Sequence, residues 1–237
     1  MKKLIVSALG LLMAAMLMSP APSEAQMPVS VGQPMPDFTL PAIQGGELTL
    51  STLQGKTVLL VFPRGRVGDH WCQICHYQYA ELVELEERLG IRGKYDMEIV
   101  FVLPYEEAMV KEWTDIFPEQ MAVIEGWKNP PDDETLTDRR RRWAALSKEY
   151  FPETFTYDDG KAPIPFPILV DADRELSNRL GLFTTDWDRS EVDQNIPTIF
   201  ILDGDGVVQF KYHSQTTFDR PGPDYLLRVI DRLIIAD

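Results

Sequence analysis

The sequence predicts an α/β fold, with a central mixed β-sheet flanked by helices and a helical segment inserted in the second half of the chain. Residues 57–62 (TVLLVF) and 98–103 (EIVFVL) are apolar runs rich in β-branched residues, which are typical of strands buried on both faces. Helical periodicity follows each run, as expected for alternating strands and helices. Residues 203–206 (DGDG) lie between two further apolar runs, so they predict an antiparallel hairpin at the end of the sheet.

The first predicted elements are short. Residues 26–36 contain three prolines and predict an extended lead-in. Residues 37–40 and 47–50 alternate apolar and polar side chains on either side of a Gly-Gly turn at position 45, which predicts two edge strands.

The longest predicted helix follows the first central strand. A loop over residues 63–70 leads to it, apolar residues then recur at helical spacing from Tyr77 to Leu89, and Gly90 is placed to end it. After the second central strand, residues 106–117 show the same spacing and predict a second helix.

Residues 118–163 have a different composition and predict an insertion in the fold. They combine prolines and acidic groups with a run of four arginines at residues 139–142. Trp143, Leu146 and Tyr150 form a weak apolar stripe, which predicts an inserted helix flanked by loops. An arginine run can bind an anionic partner, but on an acidic protein we favour a solvated helix face paired with nearby acids.

The regular pattern resumes after the insertion. Residues 165–170 predict a strand and residues 174–180 a helix. Residues 197–202 and 207–212 predict the two strands of the final hairpin, and residues 225–235 predict a closing amphipathic helix.

Length and composition set the class of protein. A chain of 237 residues suits one substantial domain, and 44% apolar with 25% charged residues excludes disordered, collagenous and coiled-coil proteins. The formal charge of −14 argues against a nucleic-acid partner, because phosphates would be repelled. The two cysteines are too few for a disulfide framework.

The N-terminus resembles a secretory signal peptide. Two lysines precede an apolar run at residues 4–18, and small residues at 23 and 25 predict cleavage after Ala25. A membrane anchor is the alternative, but the run is shorter than the roughly 20 residues that span a bilayer. We therefore expect residues 1–25 to be removed and residues 26–237 to form a periplasmic or secreted domain with no stable membrane span.

Cys72 and Cys75 form a Cys-x-x-Cys pair at the start of the long helix. The unpaired N–H groups and the dipole of a helix N-terminus stabilise a thiolate at the first position. The second cysteine lies one turn later, close enough to close a small disulfide, so Cys72 can attack a substrate disulfide and Cys75 can resolve the mixed disulfide. This spacing favours a redox-active pair.

Three other uses of the pair stay open. A structural disulfide across so small a ring would constrain the unfolded chain only weakly. A zinc site would need two further ligands from His70, His76 and His213. The run Cys72 to His76 also fits the attachment pattern of c-type haem, and export places it in the right compartment for such an electron carrier.

The run WCQIC at residues 71–75, directly after the first central strand and its loop, resembles the active site of thioredoxin-like proteins. Residues 195–198 (NIPT) resemble the Ile-Pro-Thr of that superfamily. The resemblance implies that Pro197 is a cis-proline facing the cysteines, with Trp71, Pro197 and Thr198 at the substrate groove.

A larger part of the chain resembles the alkyl hydroperoxide reductase/thiol-specific antioxidant family of peroxiredoxin-like redoxins. The segments that carry this resemblance are residues 31–38, 53–56, 166–171 and 200–203. The resemblance implies a thioredoxin-like fold and an oxidoreductase. It also implies protein thiols or disulfides, a thiol electron donor and possible hydroperoxides as partners.

This chain departs from the peroxidase signature of that family. Gly65 and Asp69 occupy the positions, counted from Cys72, at which peroxiredoxins place a proline and a threonine or serine. An acidic side chain disfavours a thiolate and donates no hydroxyl hydrogen bond to peroxide. Pro197 and Thr198 stand where the family has an arginine, and Arg64 is the residue that can replace its charge.

The sequence therefore predicts an exported thiol–disulfide oxidoreductase, with Cys72 as nucleophile and Cys75 as resolving thiol. The alternatives are a thiol peroxidase that reduces hydroperoxides at Cys72 and, less favoured, the c-type haem carrier. Arg64, His70 and His76 are expected to tune the pair. Apart from the redox-active disulfide, we expect no metal and no cofactor.

Overall fold

The structure is a computed structural model that describes residues 28–157 and 160–235. The predicted signal peptide, residues 1–25, lies outside them. The strands are β1 Thr39–Pro41, β2 Glu47–Thr49, β3 Thr57–Phe62, β4 Arg66–Val67, β5 His70–Trp71, β6 Met97–Leu103, β7 Ile168–Val170, β8 Phe183–Thr184, β9 Gln194–Asn195, β10 Thr198–Leu202 and β11 Val208–His213. The helices are α1 Gln73–Leu89, α2 Ile91–Lys94, α3 Glu107–Asp115, α4 Phe117–Lys128, α5 Asp138–Tyr150, α6 Glu175–Arg179 and α7 Pro223–Ile235.

The main sheet has five strands in the order β11-β10-β3-β6-β7. β3 pairs in parallel with β6, and β6 with β7, because helices connect these strands. β10 is antiparallel to both β3 and β11, and the predicted turn at residues 203–206 joins the last two strands. The predicted α/β class and its mixed sheet are confirmed.

Apolar side chains cover both faces of the sheet. Leu59 and Val61 of β3 belong to the core cluster that includes α1, α3 and α7, whereas Leu60 and Phe62 belong to the cluster that includes α6 and the segment before β3. Successive residues of β3 point to opposite faces of the sheet, and both faces are buried. This explains why β3 is continuously apolar instead of alternating.

The chain after α3 differs from the prediction. Residues 106–117 were expected to form one helix followed by an insertion from residue 118, but α3 ends at Asp115 and α4 continues to Lys128. Pro118 suits the first turn of α4, where its missing N–H costs nothing. Met121 and Ile124 of α4 pack in the same cluster as the two cysteines, so the start of the predicted insertion helps to build their surroundings.

The predicted helix of the insertion is present as α5. The Thr137 side chain caps it by accepting a hydrogen bond from the Arg140 N–H. Its buried residues are Ala144 and Ser147, whereas Leu146 and Tyr150 of the predicted apolar stripe are 43% and 49% exposed. The stripe is therefore largely at the surface.

Among the described residues, no helix is both long and apolar enough to cross a membrane.

Candidate active site

The two cysteines lie at the N-terminus of α1. Cys72 is the N-cap residue and Cys75 is in the first turn, and their side chains are 1% and 0% exposed. Both thiols are free. The Cys72 carbonyl accepts the Cys75 N–H at 3.1 Å, so the helix begins directly at the pair and holds the two side chains one turn apart.

Donors converge on the inner sulfur, Cys75 Sγ. The backbone N–H of Arg64 donates to it at 3.3 Å, and the N–H of Gly65 and the Cys72 thiol also contribute hydrogen bonds. Burial alone would raise the pKa of Cys75, but these donors and the charge of Arg220 outweigh burial and lower the pKa to about 6.

The outer thiol behaves in the opposite way. Burial and the hydrogen bond that Cys72 gives to the Cys75 thiolate raise the pKa of Cys72 well above its usual value. The pair therefore shares one proton at neutral pH, with the negative charge on the inner sulfur.

A buried cation stands beside the thiols. Arg64 is 1% exposed, and its guanidinium donates to Gln194 Oε1 at 2.7 Å, Thr217 Oγ1 at 2.5 Å and the Trp187 carbonyl at 2.9 Å. None of these partners is a carboxylate. Because a buried charge needs an opposite charge close by, the thiolate of the pair is its natural counter-ion.

Two more charged residues extend this arrangement. Asp188 accepts a hydrogen bond from the Thr217 hydroxyl, so it reaches Arg64 through one intermediate side chain. Arg220 has a side chain only 7% exposed, and its positive charge helps to lower the pKa of Cys75 and opposes the rise in the pKa of Cys72. Its Nε and Nη2 atoms have no hydrogen-bond partner within the described part of the chain.

Gly65 allows the backbone of the loop before α1 to approach both cysteines closely. Its carbonyl accepts the Cys72 N–H at 2.8 Å, and its φ of +82° lies in the left-handed region that glycine tolerates best. A Cβ atom added there would meet the ring of Tyr105 at 2.4 Å. The Tyr105 hydroxyl in turn accepts the Arg66 N–H at 2.9 Å, so ring and loop fix each other.

We expect Gly65→Ala to destabilise the protein by about 2–5 kcal/mol, because it adds left-handed strain to a clash with a buried ring. The thiolate should also weaken, since the loop that supplies its N–H donors has to move. Chemical unfolding and titration of the thiolate absorbance at 240 nm measure the two effects. Gly68→Ala is the control, because Gly68 has φ of +60° and nothing within 4 Å of an added Cβ. Equal losses in the two variants would show that the clash with Tyr105 is unimportant.

A cleft of about 420 Å³ opens at Cys72. Cys72 lines it and Cys75 does not, so of the two sulfurs only the outer one borders the cleft. Its lining residues are Arg64, Val67, His70, Cys72, Gln73, Ile74, Trp127, Asp188, Arg189, Thr216, Thr217 and Phe218. The cleft thus combines cations near the sulfur with an apolar wall.

The segment around Pro197 lies against the loop before the cysteines, as the resemblance implied. The Asn195 N–H donates to the Arg64 carbonyl at 3.2 Å. The described residues contain no cis peptide bond, so the expectation of a cis bond at Pro197 is wrong for this structure. Neighbouring segments already bond the backbone around Pro197, since the Ile196 N–H donates to the Leu182 carbonyl and the Pro197 carbonyl accepts the Ser214 N–H.

Thr198 and Trp71 are also packed inside the protein. Thr198 is 1% exposed, and its hydroxyl lies 2.8 Å from His213 Nδ1. Trp71 is 3% exposed, stacks edge-on against Tyr105 and donates from Nε1 to Glu112. Neither residue lines the cleft. These positions favour a structural contribution to the site over the contact with substrate that the resemblance implied.

The two predicted tuning histidines differ in position. His70 lines the mouth of the cleft, has a half-exposed side chain and pairs with the fully exposed Asp69. Asp69 therefore points to solvent and away from the sulfurs. His76 is 0% exposed and lies between the Cys72 carbonyl at 3.0 Å and the Trp113 carbonyl at 2.9 Å. Burial lowers the pKa of His76 to about 4, so it is a neutral link between α1 and α3 at neutral pH.

These surroundings do not suit the c-type haem alternative. The ring nitrogens of His76 face carbonyl oxygens, and its ring packs against Trp113 and Phe117 at 4.6 and 4.5 Å, which leaves no room for a porphyrin ligand. Zinc has no support either. Within residues 28–157 and 160–235, no group of three metal-ligating side chains is placed to hold an ion.

Several residues of the site have no signal in the sequence. They lie in loops or short strands without a motif, and each reaches the site from far along the chain. These residues are Gln194, Thr217, Asp188 and Arg220. Arg64 had a signal, the expectation that it replaces the charge of the family's arginine, but its complete burial did not follow from that expectation.

Comparison with solved structures establishes the class of fold. A cysteine-to-serine variant of peroxiredoxin 6 from Arenicola marina matches with a TM-score of 0.57 and 18% identity, covering 88% of this chain and 74% of that chain. The reduced 2-Cys peroxiredoxin of Plasmodium vivax matches with a TM-score of 0.53 and 20% identity, covering 87% and 97%. At these identities the likeness shows the fold, which is the predicted thioredoxin-like one.

A sequence match supports the same class. Residues 31–120 match the model of the AhpC/TSA family, and they include both cysteines and Arg64. No curated protein matches the chain. The match confirms the resemblance drawn from the sequence, and together with the structural neighbours it supports an oxidoreductase.

Proposed function

We propose that this protein is an exported thiol–disulfide oxidoreductase that exchanges disulfides with partner proteins through Cys72 and Cys75. The observation that supports this most is the asymmetry of the pair. Cys72 lines an open cleft, whereas Cys75 is enclosed and receives donors from Arg64 and Gly65. Exchange through a mixed disulfide requires an attacking sulfur that a partner can reach and a resolving sulfur that is protected, and the cleft is what gives access to the otherwise buried Cys72. The N-terminal segment supports a site of action in the periplasm or outside the cell.

The proposed reaction begins when Cys72 Sγ attacks one sulfur of the partner disulfide. The Cys75 thiolate takes the Cys72 proton, a mixed disulfide forms at Cys72, and one partner thiolate leaves. Cys75 then loses that proton and attacks Cys72 Sγ, which closes the Cys72–Cys75 disulfide and releases the second thiolate. The protein loses two electrons and the partner gains them. The proton of the pair goes to one partner thiolate, and water protonates the other.

The charges around the pair suit the first step. Arg64 and Arg220 stabilise negative charge on either sulfur and on the leaving thiolate. The dry surroundings of Cys75 strengthen these interactions and keep the resolving thiol from reacting with solvent oxidants. The same chemistry in reverse oxidises a dithiol partner, so the cellular electron donor sets the direction of exchange.

A thiol peroxidase is the second candidate, and the buried Arg64 beside a low-pKa thiolate favours it. In that reaction the thiolate attacks one peroxide oxygen, the second oxygen leaves as water or an alcohol, and the resulting sulfenic acid condenses with the other thiol to a disulfide. The two functions differ in oxidant and share the same disulfide product.

One experiment on the wild-type protein separates the two candidates. Reduced protein is mixed with a disulfide-containing peptide or with hydrogen peroxide, and its intact mass is followed after alkylation. Exchange predicts rapid loss of two thiols with the peptide, through a peptide adduct that appears and decays. Peroxidase action predicts rapid loss with peroxide alone, and reaction with neither would refute both functions.

A further inference from the structure

Helix α5 begins with a run of exposed arginines. Arg139, Arg140, Arg141 and Arg142 are exposed, and none of them forms a direct ion pair with any residue that the structure describes. Arg140 and Arg141 donate to Thr135 and to the Leu136 carbonyl, which are neutral partners. The sequence favoured arginines paired with nearby acids, and among the described residues this holds in part for Arg140, whose charge helps to lower the pKa of Asp133.

Apolar groups lie among these charges. Arg139, Arg140 and Arg142 line a shallow groove of about 600 Å³ together with Trp143 and Leu146. Leu146 is 43% exposed, although a side chain of its type normally packs inside. Unpaired cations beside exposed apolar surface are typical of a docking site.

The groove is continuous with the active-site cleft through a row of aromatic rings. Trp143 contacts Trp127 at 5.7 Å and Phe218 at 5.3 Å between ring centroids. Trp127 and Phe218 both line the cleft that contains Cys72. A polypeptide whose disulfide lies at Cys72 therefore meets the groove as soon as it leaves the cleft.

The charge of the groove identifies the chemistry of its occupant. The whole chain carries −14, so the three arginines that line the groove concentrate positive charge on an otherwise acidic protein. Such a patch attracts carboxylates and repels basic segments. An anionic membrane fits less well, because a flat surface would also meet the exposed acids at residues 132–134, next to α5. A peptide segment needs to contact only the groove.

We propose that the arginine face of α5 docks an acidic, Asp- and Glu-containing segment of the protein whose disulfide is exchanged at Cys72. This inference rests on the proposed function. The groove supplies affinity and orientation, and the sulfur chemistry stays with the cysteine pair.

The test uses two synthetic peptides that share one disulfide loop and differ in a tail of four glutamates or four glutamines. The groove variant is Arg139→Gln with Arg142→Gln, because these two arginines make no hydrogen bond or ion pair in the described structure. The control is Arg228→Gln with Arg232→Gln, which removes the same charge from exposed positions on α7, away from the cleft.

We expect the pre-reduced wild-type protein, in a single turnover, to react with the glutamate peptide with a second-order rate constant about 10-fold or more above that for the glutamine peptide at low salt. The groove variant should lose this preference and keep its rate with the glutamine peptide, and the control should keep both rates. Salt at about 0.5 M should suppress the preference of the wild-type protein, because it screens exposed charges. Equal rates for the two peptides in the wild-type protein would refute the docking surface and leave the exchange function standing.

A binding measurement keeps the two proposals separable. Fluorescence anisotropy of a labelled, cysteine-free glutamate peptide should show binding to the wild-type and control proteins and at least about 10-fold weaker binding to the groove variant. If neither peptide is reduced but this difference persists, the exchange function fails and the docking surface stands. Three results would overturn the acidic-segment proposal: equal binding by all three proteins, arginine-dependent binding to phosphatidylglycerol vesicles without peptide binding, or arginine-dependent self-association.

Discussion

Cys75→Ser is expected to leave a protein that captures a disulfide partner and does not release it. Cys72 still lines the cleft in this variant, and the cations at Arg64 and Arg220 still favour its thiolate. The second step has no nucleophile, so a mixed disulfide at Cys72 should accumulate, and multiple-turnover exchange should fall by about 10⁴-fold or more. Intact mass under non-reducing conditions detects the adduct.

Cys72→Ser provides the matched comparison, since it differs from Cys75→Ser only in which sulfur is kept. Cys75 is 0% exposed and does not line the cleft, so this variant should form no adduct with a peptide disulfide despite its low-pKa thiol. Access, and not acidity, is therefore expected to decide which cysteine attacks. An adduct on Cys75 in the Cys72→Ser protein would reverse the assigned roles.

Arg64→Gln should raise the pH at which the pair ionises. In the wild-type protein the first thiolate is expected to titrate near pH 6, the value of about 6 for Cys75. Removing an opposite charge next to a buried anion typically shifts a pKa by about 1–3 units. A cation stabilises the thiolate, so its loss moves the titration upward, and the thiolate fraction at pH 6 should fall by about 5- to 500-fold. Absorbance at 240 nm against pH measures this change without requiring access to the sulfur.

Two further variants keep this prediction specific. Arg189→Gln removes a cation from the exposed rim of the same cleft, and it should leave the titration within a few tenths of a unit of wild type. Arg64→Lys keeps the charge but loses the forked hydrogen bonds to Gln194 and Thr217, so an intermediate shift is expected. A melting curve for each variant shows whether the fold is intact. An unchanged titration in folded Arg64→Gln would remove Arg64 from the thiolate environment.

Local sequence was enough to predict the sheet and the pair. The strand prediction at residues 57–62 matches β3 exactly in its bounds, because burial on both faces leaves a continuous apolar run that no other element of that length shows. The Cys-x-x-Cys spacing predicted two thiols one turn apart, because helix geometry fixes that separation. Even the end of α1 at Gly90 was predictable, since its φ of +57° is the left-handed cap that glycine favours.

Predictions about long-range packing were less successful. The length of α4 was missed because residues 118–128 lie among prolines and charges, and only packing against α1 shows that Met121 and Ile124 are core residues. The trans bond at Pro197 and the burial of Trp71 and Thr198 also depend on which strands pair with them.

The sequence alone determined the fold class, the order of elements and the two sulfur atoms to which we assign the proposed chemistry. It did so because each is recorded in residues close together along the chain. Only the tertiary structure decided which sulfur is open to substrate, what charge stands beside it and which surface leads to it. Arg64 meets Gln194 and Thr217 across 130 and 153 residues of chain, and no local pattern encodes a contact over such a separation. The scarcity of cysteines therefore indicated an active site, whereas the access to each thiol and the charges around it depend on the tertiary structure.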